Sequence, residues 1–176
     1  MKTTMQNKLR SQRGFTLAEV LVAILILLMV TSIVAAGIPA ARNAYEKVVL
    51  SSNAEVLLST TITSLRNELG TAKDIKTETG STRITYYNTT RGSTSQLYVN
   101  EDTGKIMLQR YYSDEGLSQG STAEQLLEKS GSEKLTVSYD EVEYKNGIVT
   151  FSNLSVKRDD TPLTTREKVS IRVLSE

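Results

Sequence analysis

The chain of 176 residues contains no histidine and no cysteine. Without an imidazole or a thiol, it has no catalytic triad, no Cys–His pair, no thiolate metal site and no imidazole general base. A secreted fold built from this sequence must also be stable without disulfide bonds. The sequence contains neither a phosphate-binding loop nor a dinucleotide-binding fingerprint. We therefore predict that the protein is not an enzyme and carries no cofactor.

The net charge of +1 is small, but its distribution is uneven. Residues 1–14 contain no acid and four cations: Lys2, Lys8, Arg10 and Arg13. Residues 15–69 have a net charge of −1, and residues 70–176 have a net charge of −2. Because the net positive charge is confined to residues 1–14, the sequence does not predict a nucleic-acid partner.

An uncharged segment of 22 residues, Val20 to Ala41, follows the basic end and is almost continuously apolar through Ile38. As a helix it would span about 33 Å, which is enough to cross the hydrocarbon core of a bilayer. Four cations precede this segment within 20 residues, and only two, Arg42 and Lys47, follow it within the same distance. This asymmetry predicts a cytoplasmic N-terminus. The bulk of the chain then lies outside the membrane.

Two ordinary interpretations of this segment are open. A secretory signal peptide could be cleaved at the small residues Ala35-Ala36-Gly37, and the mature protein would then begin near Ile38; the apolar run is longer than the usual span of about 7–15 residues. A plain signal anchor would keep the segment uncleaved, but it gives no role to Gly14 or Glu19.

A third interpretation uses both residues. Arg13-Gly14-Phe15-Thr16-Leu17-Ala18-Glu19, followed at once by the apolar run, resembles the class III signal of type IV pilins and pseudopilins. The resemblance implies that a membrane prepilin peptidase cuts after Gly14 on the cytoplasmic side and methylates the new N-terminal residue, Phe15. It also implies three further partners: other pilin subunits in a filament, an inner-membrane assembly platform, and membrane lipid before assembly. The run from Ala18 to Leu25 looks more like a minor pilin than a major one.

Glu19 would be the fifth residue of the processed chain. A carboxylate at the bilayer centre costs about 2.5–3.5 kcal/mol, and less near the interface. Cleavage after Gly14 creates a cation, the α-amine of Phe15, which keeps its charge when methylated. The family resemblance implies that Glu19 of an incoming subunit pairs with this amine on a neighbouring subunit and sets the axial register. In the alternative interpretation, the Glu19 side chain extends to the lipid headgroups.

Helical periodicity continues to Leu69, and Gly70 is a suitable stop signal. The apolar stripe predicted to complete the core of the distal domain consists of Tyr45, Val48, Val49, Val56, Leu58, Ile62, Leu65 and Leu69. Gly37 and Pro39 interrupt the helix, and since proline lacks an amide donor we predict a kink or local melting near residues 35–39.

Residues 70–176 show β patterning with two hairpins whose register can be predicted. A loop at residues 101–104 places Val99 opposite Ile106 and Leu97 opposite Leu108. The Asn146-Gly147 pair is typical of a type I′ turn that places Tyr144 opposite Val149 and Val142 opposite Phe151. Further strands are predicted at 83–87, 134–139, 154–157 and 169–174, and the Ser121–Glu124 spacing predicts a short helix through Lys129.

The predicted fold is therefore α+β, with a long N-terminal hydrophobic helix packed on an antiparallel β-sheet domain, which is also the fold that the resemblance implies. We divide the chain into a leader (1–14), a transmembrane or filament-core helix (15–41), its amphipathic continuation (42–69) and a β-rich extracytoplasmic domain (70–176). Three acidic loops lack the ligand spacing of an EF-hand, so we predict solvated turns and no metal site. They are residues 100–104, 114–115 and 159–160.

The predicted function is that of a structural subunit of a type IV pilus or of a related secretion or competence pseudopilus. The protein would be a single-pass membrane protein before assembly and part of a cell-surface filament afterwards. Two alternatives are a signal-anchored extracellular surface-binding protein that is not processed, and a secreted enzyme with a carboxylate-only site. The three differ in their mature N-terminus, which would be Phe15, Met1 or Ile38, respectively.

Overall fold

The computed structural model describes residues 16–111, 123–127 and 135–174. One helix, α1 (Leu17–Leu69), precedes the strands of the described residues. These are β1 (Ala72–Thr77), β2 (Ile84–Asn88), β3 (Ser93–Asn100), β4 (Lys105–Tyr111), β5 (Glu124–Gln125), β6 (Leu135–Ser138), β7 (Glu141–Lys145), β8 (Ile148–Arg158) and β9 (Thr161–Arg172). The chain divides into two compact units between Lys47 and Val48, and we describe each by itself.

The described part of the first unit is helical from Leu17 to Lys47, and all of its side chains are exposed. This helix is the one candidate membrane span among the described residues, judged by length and apolar composition. Its two internal hydroxyls bond to the preceding turn: Thr31 donates to the carbonyl of Leu27 (2.7 Å) and Ser32 to that of Met29 (2.8 Å). Such back-bonding satisfies a hydroxyl that water cannot reach in lipid.

Gly37 and Pro39 lie inside α1, and residues 35–39 are helical. The predicted local melting is therefore not observed, because the helical backbone continues on both sides of the proline. A bend of the helix axis at these residues stays a prediction.

In the second unit, α1 buries one face, whose members recur every three or four residues: Ala54, Leu58, Thr61, Leu65, Glu68 and Leu69. Two members of the predicted stripe that lie in this unit are wrong, since Val48 and Val56 are 68% and 63% exposed. A third member, Tyr45, lies in the first unit and is also exposed. At about 100° per residue, Val56 lies roughly opposite Leu58 on the helix, so one packed face cannot include both. The buried face of the helix is therefore narrower than predicted.

The first sheet is antiparallel, with strand order β1-β2-β3-β4-β5. The β3–β4 register places Leu97 opposite Leu108 and Val99 opposite Ile106, which confirms the first predicted hairpin. The register of β1 against β2 shifts between Lys73 and Lys76, where Asp74 has a φ of 53°. This irregularity and the charged side chains explain why the sequence pattern did not reveal β1.

The predicted helix at residues 121–129 is wrong where the structure describes it. Glu124 and Gln125 form strand β5, which pairs with Leu108 and Met107 of β4. The amide of Leu126 donates to the carbonyl of Ile106 (3.0 Å), and Arg110 forms an ion pair with Glu124 (3.2 Å). Pairing with the edge of an existing sheet outweighed a local capping signal.

In the second sheet, β9 pairs with β8 along its length, while β6 and β7 pair with the two halves of β8 on its other side. Tyr144 lies opposite Val149 and Val142 opposite Phe151, so the second predicted hairpin is confirmed. Asn146 and Gly147 both have positive φ (52° and 73°), as a type I′ turn requires.

Strand β8 continues without a break where the sequence suggested two shorter strands. Asn153 lies within it at a φ of 52°, and its side-chain amide donates to the Asp140 carboxylate (2.9 Å). Before Asn153, the odd-numbered Val149 and Phe151 are buried; after it, the even-numbered Leu154 and Val156 are. A single left-handed residue thus changes which side of the strand faces the core.

The core of this unit lies between the helix face and the two sheets. Phe151 meets Tyr139 edge to face with ring centroids 4.9 Å apart, and the Tyr139 hydroxyl donates to the carbonyl of Thr82 (2.7 Å). Burial raises the pKa of Tyr139 above its ordinary value. The predicted α+β class, a long apolar N-terminal helix with antiparallel sheets, is confirmed.

One buried carboxylate, Glu68, lies near the C-terminal end of α1. The Asn88 side-chain amide donates to Glu68 Oε1 (3.1 Å), and Arg91 Nε lies 3.7 Å from Glu68 Oε2. Burial, and then the charge of Glu68, raise the pKa of the neighbouring Tyr86 far above its ordinary value. These polar contacts fasten the end of the helix to β2 and to the turn that follows it.

Candidate functional site

The N-terminal end of α1 carries a reciprocal set of hydrogen bonds between Thr16 and Glu19. The Thr16 amide and the Thr16 hydroxyl both donate to Glu19 Oε2, each at 2.9 Å. In return, the Glu19 amide donates to Thr16 Oγ1 (3.2 Å). This reciprocal pattern is a capping box, with Thr16 as N-cap and Glu19 three residues later. It satisfies two amides that the first helical turn leaves without partners.

The capping box gives Glu19 a local role that our sequence reasoning missed. The Thr-x-x-Glu spacing at residues 16–19 is a helix-start signal of the same kind as the Ser-x-x-Glu spacing at residues 121–124. Within the described residues, both hydrogen bonds to the carboxylate reach Oε2, and Oε1 accepts none. One carboxylate oxygen of Glu19 is therefore engaged by its own chain and the other is available to a donor from elsewhere.

Glu19 begins a helix face that continues with Ala23 and Leu27, and these residues line a shallow open groove together with Val20 and Ile24. From Val20 to Ile38 the large apolar side chains are about half exposed or more. In water, such a surface would associate with lipid or with other apolar helices. The site therefore combines one carboxylate with an otherwise uncharged apolar rod.

Two of the predicted site residues, Gly14 and Phe15, lie outside the described residues, so cleavage and methylation there stay predictions. Glu19 is described, but a single chain does not test its pairing with a neighbouring subunit. Gly37 and Pro39 lie 18 and 20 residues further along α1 and take no part in the capping box.

The acidic turn between β3 and β4 is organised by hydrogen bonds. Asn100 Oδ1 accepts bonds from the amides of Asp102 and Thr103 and from the Thr103 hydroxyl, at 2.9–3.1 Å. This is an Asx-type turn, in which the side chain replaces a backbone acceptor. Across the part of the chain that the structure describes, no group of three or more carboxylates is placed to hold a metal ion. The acidic pair at residues 114–115 lies outside that part.

A comparison with protein families matches one model to residues 9–35, the prokaryotic N-terminal methylation motif. The matched residues include Gly14 and Phe15, the capping box at Thr16 and Glu19, and much of the apolar helix. No curated protein and no solved structure shows significant similarity to the chain. The motif describes a structural processing signal and not a catalytic family. Residues 9–35 of this chain are thus the N-terminal methylation signal that type IV pilins and pseudopilins carry.

Proposed function

We propose that the protein is a pilin subunit that assembles through α1 into a type IV pilus or a related secretion or competence pseudopilus. The observation that carries this proposal is the coincidence of the methylation motif at residues 9–35 with an exposed apolar helix that begins at Leu17. A secretory signal would be lost on cleavage, whereas cleavage at Gly14 leaves the whole helix on the mature chain. The run from Ala18 to Leu25 favours a minor subunit.

Processing is the first step. The prepilin peptidase hydrolyses the peptide bond between Gly14 and Phe15, which removes the four cations of the leader and frees the Phe15 amine. Methylation leaves that amine positively charged. Because four leader cations precede the apolar segment and only Arg42 and Lys47 follow it closely, the N-terminus lies in the cytoplasm and the distal domain outside.

Assembly is the second step. Glu19 Oε2 is held by Thr16, while Oε1 faces no donor among the described residues. The Phe15 amine of a neighbouring subunit, axially displaced in a bundle of parallel helices, supplies that donor and a compensating charge. Bundled apolar helices replace lipid around Val20 to Ile38, so the helix leaves the bilayer without exposing its surface to water.

The N-terminus of the mature protein tests the processing step. N-terminal sequencing and intact mass of protein recovered from cells should give a chain that begins with methylated Phe15. A chain that begins at Met1 would show an unprocessed surface anchor, and a chain that begins near Ile38 would show a secreted protein. Either result would overturn the proposal.

The substitution Glu19→Ala tests the assembly step. The variant should be cleaved normally but should be absent from filaments sheared off the cell surface, as measured by immunoblot. Glu46→Ala is the matched control, since Glu46 lies on the same helix and its one ion-pair partner among the described residues is Arg42, one turn away (3.0 Å). Normal incorporation of the Glu19 variant into filaments would show that assembly does not depend on pairing between Glu19 and the Phe15 amine.

A further inference from the structure

The outer face of the second sheet has an ordered charge pattern. Three rows cross the strands β7, β8 and β9, because directly opposed residues project from the same face. The rows are Glu141–Ser152–Lys168, Glu143–Thr150–Ser170 and Lys145–Ile148–Arg172. The residues between them in sequence, Val142, Val149, Phe151, Val169 and Ile171, are buried on the opposite face.

The two sides of this face carry opposite net charges. On the β9 side, Lys168 and Arg172 are exposed, and the residue between them, Ser170, is neutral. On the β7 side, Glu143 is exposed and Glu141 is half-buried, with its Oε1 accepting the amide of Gly80 (2.9 Å), and one exposed cation, Lys145, ends the strand. Uncharged side chains of β8 separate the two sides. We call these the basic flank (Lys168, Ser170, Arg172) and the acidic flank (Glu141, Glu143).

The charged side chains of the two flanks have no ion-pair partner among the described residues. The basic flank lies on β9, which pairs with β8 on one side and with no other strand that the structure describes. The acidic flank lies beside the segment after β1, since the amide of Val142 donates to the carbonyl of Ser81 (3.0 Å). A partner can therefore contact side chains at both flanks. Only the basic flank also offers a strand edge, that of β9, with no neighbouring strand among the described residues.

We propose that the basic flank of one copy of this chain binds the acidic flank of a second copy. The inference rests on the proposed function, because subunits anchored in parallel by their N-terminal helices present the same flanks at similar levels. Charge complementarity selects the partner: each copy carries both halves of the contact on one sheet face. Attraction between complementary patches of this kind fixes register more than it adds affinity.

The pattern also bears on the register of the two copies. In an unshifted arrangement, Lys168 of one copy would face the half-buried Glu141 of the next, but Arg172 would face Lys145, and these two exposed cations would repel each other. We therefore place the copies one row apart, with Arg172 beside the exposed Glu143 and Ser170 beside Glu141, which removes the repulsion. One row is two residues along a strand, or about 7 Å.

The contact joins different surfaces of the two copies, so it is heterologous. A heterologous contact repeats from copy to copy and generates closed rings or open filaments, whereas a contact between identical surfaces stops at a dimer. The charge pattern of the sheet is therefore compatible with the filament that the N-terminal helix builds, through residues more than 120 positions away in sequence.

Disulfide crosslinking tests the contact directly, because the chain has no cysteine of its own. The reporter is the double variant Glu141→Cys with Ser170→Cys in the mature full-length protein, incorporated into lipid vesicles and treated with a mild oxidant. Within one copy, the two positions are two strands apart, or about 10 Å, which is too far for an internal disulfide. We expect a ladder of crosslinked dimers, trimers and larger species on a denaturing gel.

Three controls define the register and the surface. The pair Glu143→Cys with Ser170→Cys should crosslink at least fivefold less, since the shifted register separates these positions. The pair Glu141→Cys with Thr103→Cys, which uses the exposed β3–β4 turn, should give no ladder. Glu141→Cys alone should give no dimer. A ladder from the unshifted pair alone, dimers from the single variant, or no ladder from the reporter would each overturn the proposal.

A charge exchange then tests the mechanism. In the reporter background, Glu143→Lys should reduce crosslinking several-fold, and Glu143→Lys combined with Arg172→Glu should restore it. Crosslinking should also fall between 0.05 and 1 M salt, because exposed charges are screened (the Debye length is about 3 Å at 1 M). Failure of the exchange to restore the ladder would overturn the charge-based contact. The outcome does not depend on the identity of the mature N-terminus in cells, so failure here is distinguishable from failure of the proposed function.

Discussion

The two compact units of this chain differ in the exposure of their apolar side chains. Between Leu17 and Lys47, no described side chain is buried, although nearly every residue up to Ile38 is apolar. From Val48 onward, the apolar side chains form one core. Burial of apolar surface is what stabilises a folded chain in water, at about 25 cal/mol per Å². The second unit therefore provides its own stabilising interactions, whereas the first must obtain them from lipid or from other helices.

Removing the first unit should have the largest effect. A chain that begins at Val48 is expected to be soluble without detergent and to unfold cooperatively, because its core is complete within residues 48–174. The full chain is expected to aggregate unless detergent or lipid covers the exposed helix. Size-exclusion chromatography and thermal melts followed by circular dichroism measure both. A shortened chain that aggregates or melts without cooperativity would show that the units are not independent.

Two leucines on the same helix provide a matched test. Leu58 is 1% exposed in the second unit, and Leu28 is 64% exposed in the first. Leu58→Ala should lower the free energy of unfolding of the distal domain by about 2–5 kcal/mol through lost burial and a cavity. Leu28→Ala should leave it unchanged within about 0.5 kcal/mol. Denaturant titration in detergent micelles measures the free energy of unfolding of both variants. Equal losses would show that the two units do not differ in how their apolar side chains contribute to stability.

The β7–β8 turn tests whether local geometry stabilises the second unit. Asn146→Pro forces a φ near −65° where the structure has 52°, so it should cost about 1–3 kcal/mol. Asn146→Gly is the control, since glycine adopts positive φ without strain and should be nearly neutral. The same denaturant titration applies. An unchanged midpoint for the proline variant would contradict the type I′ turn.

The smallest expected effect concerns the capping box of the first unit. Thr16→Val removes a hydroxyl donor to Glu19 and the acceptor for the Glu19 amide, at a cost of about 1 kcal/mol to the first turn. Thr16→Ser keeps both and should behave as wild type. Amide exchange at residues 19–20 in micelles should accelerate roughly fivefold in the valine variant only. The unfolding of the distal domain should not change in either, because Thr16 belongs to the other unit.

Much of the fold was predictable where the controlling interactions are local. Asn146-Gly147 sets its own turn, and the register of the hairpin follows from the alternation of Val142, Tyr144, Val149 and Phe151. The loop at residues 101–104 does the same for β3 and β4. Both registers were confirmed because a shift of one residue would turn every apolar side chain toward water.

The errors share one cause. Glu124 follows a capping signal but pairs with β4, and Asn153 looks like a strand end but continues β8 at a positive φ. Strand β9 begins at Thr161, eight residues before the predicted strand, through an exposed and charged segment. In each case the backbone conformation is set by a neighbouring strand distant in sequence, and a local pattern does not contain that information.

The candidate site was predictable from the sequence, because the Thr-x-x-Glu spacing and the methylation motif around Gly14 each depend on a few neighbouring residues. The helix face that packs on the core was not predictable from the sequence. Leu58 and Val56 are both apolar, and only contact with the sheets decides which of them is buried.

The sequence alone determined the anchor, the processing signal and the two tight turns, because composition and short-range geometry suffice for each. The tertiary structure decided the packed face of α1, the burial of Glu68 beside Asn88, and the alignment of Glu143, Thr150 and Ser170 in one row across three strands. These features depend on contacts between segments far apart in the chain. These contacts stabilise the protein only after the distant segments have come together, and a local sequence pattern does not encode them.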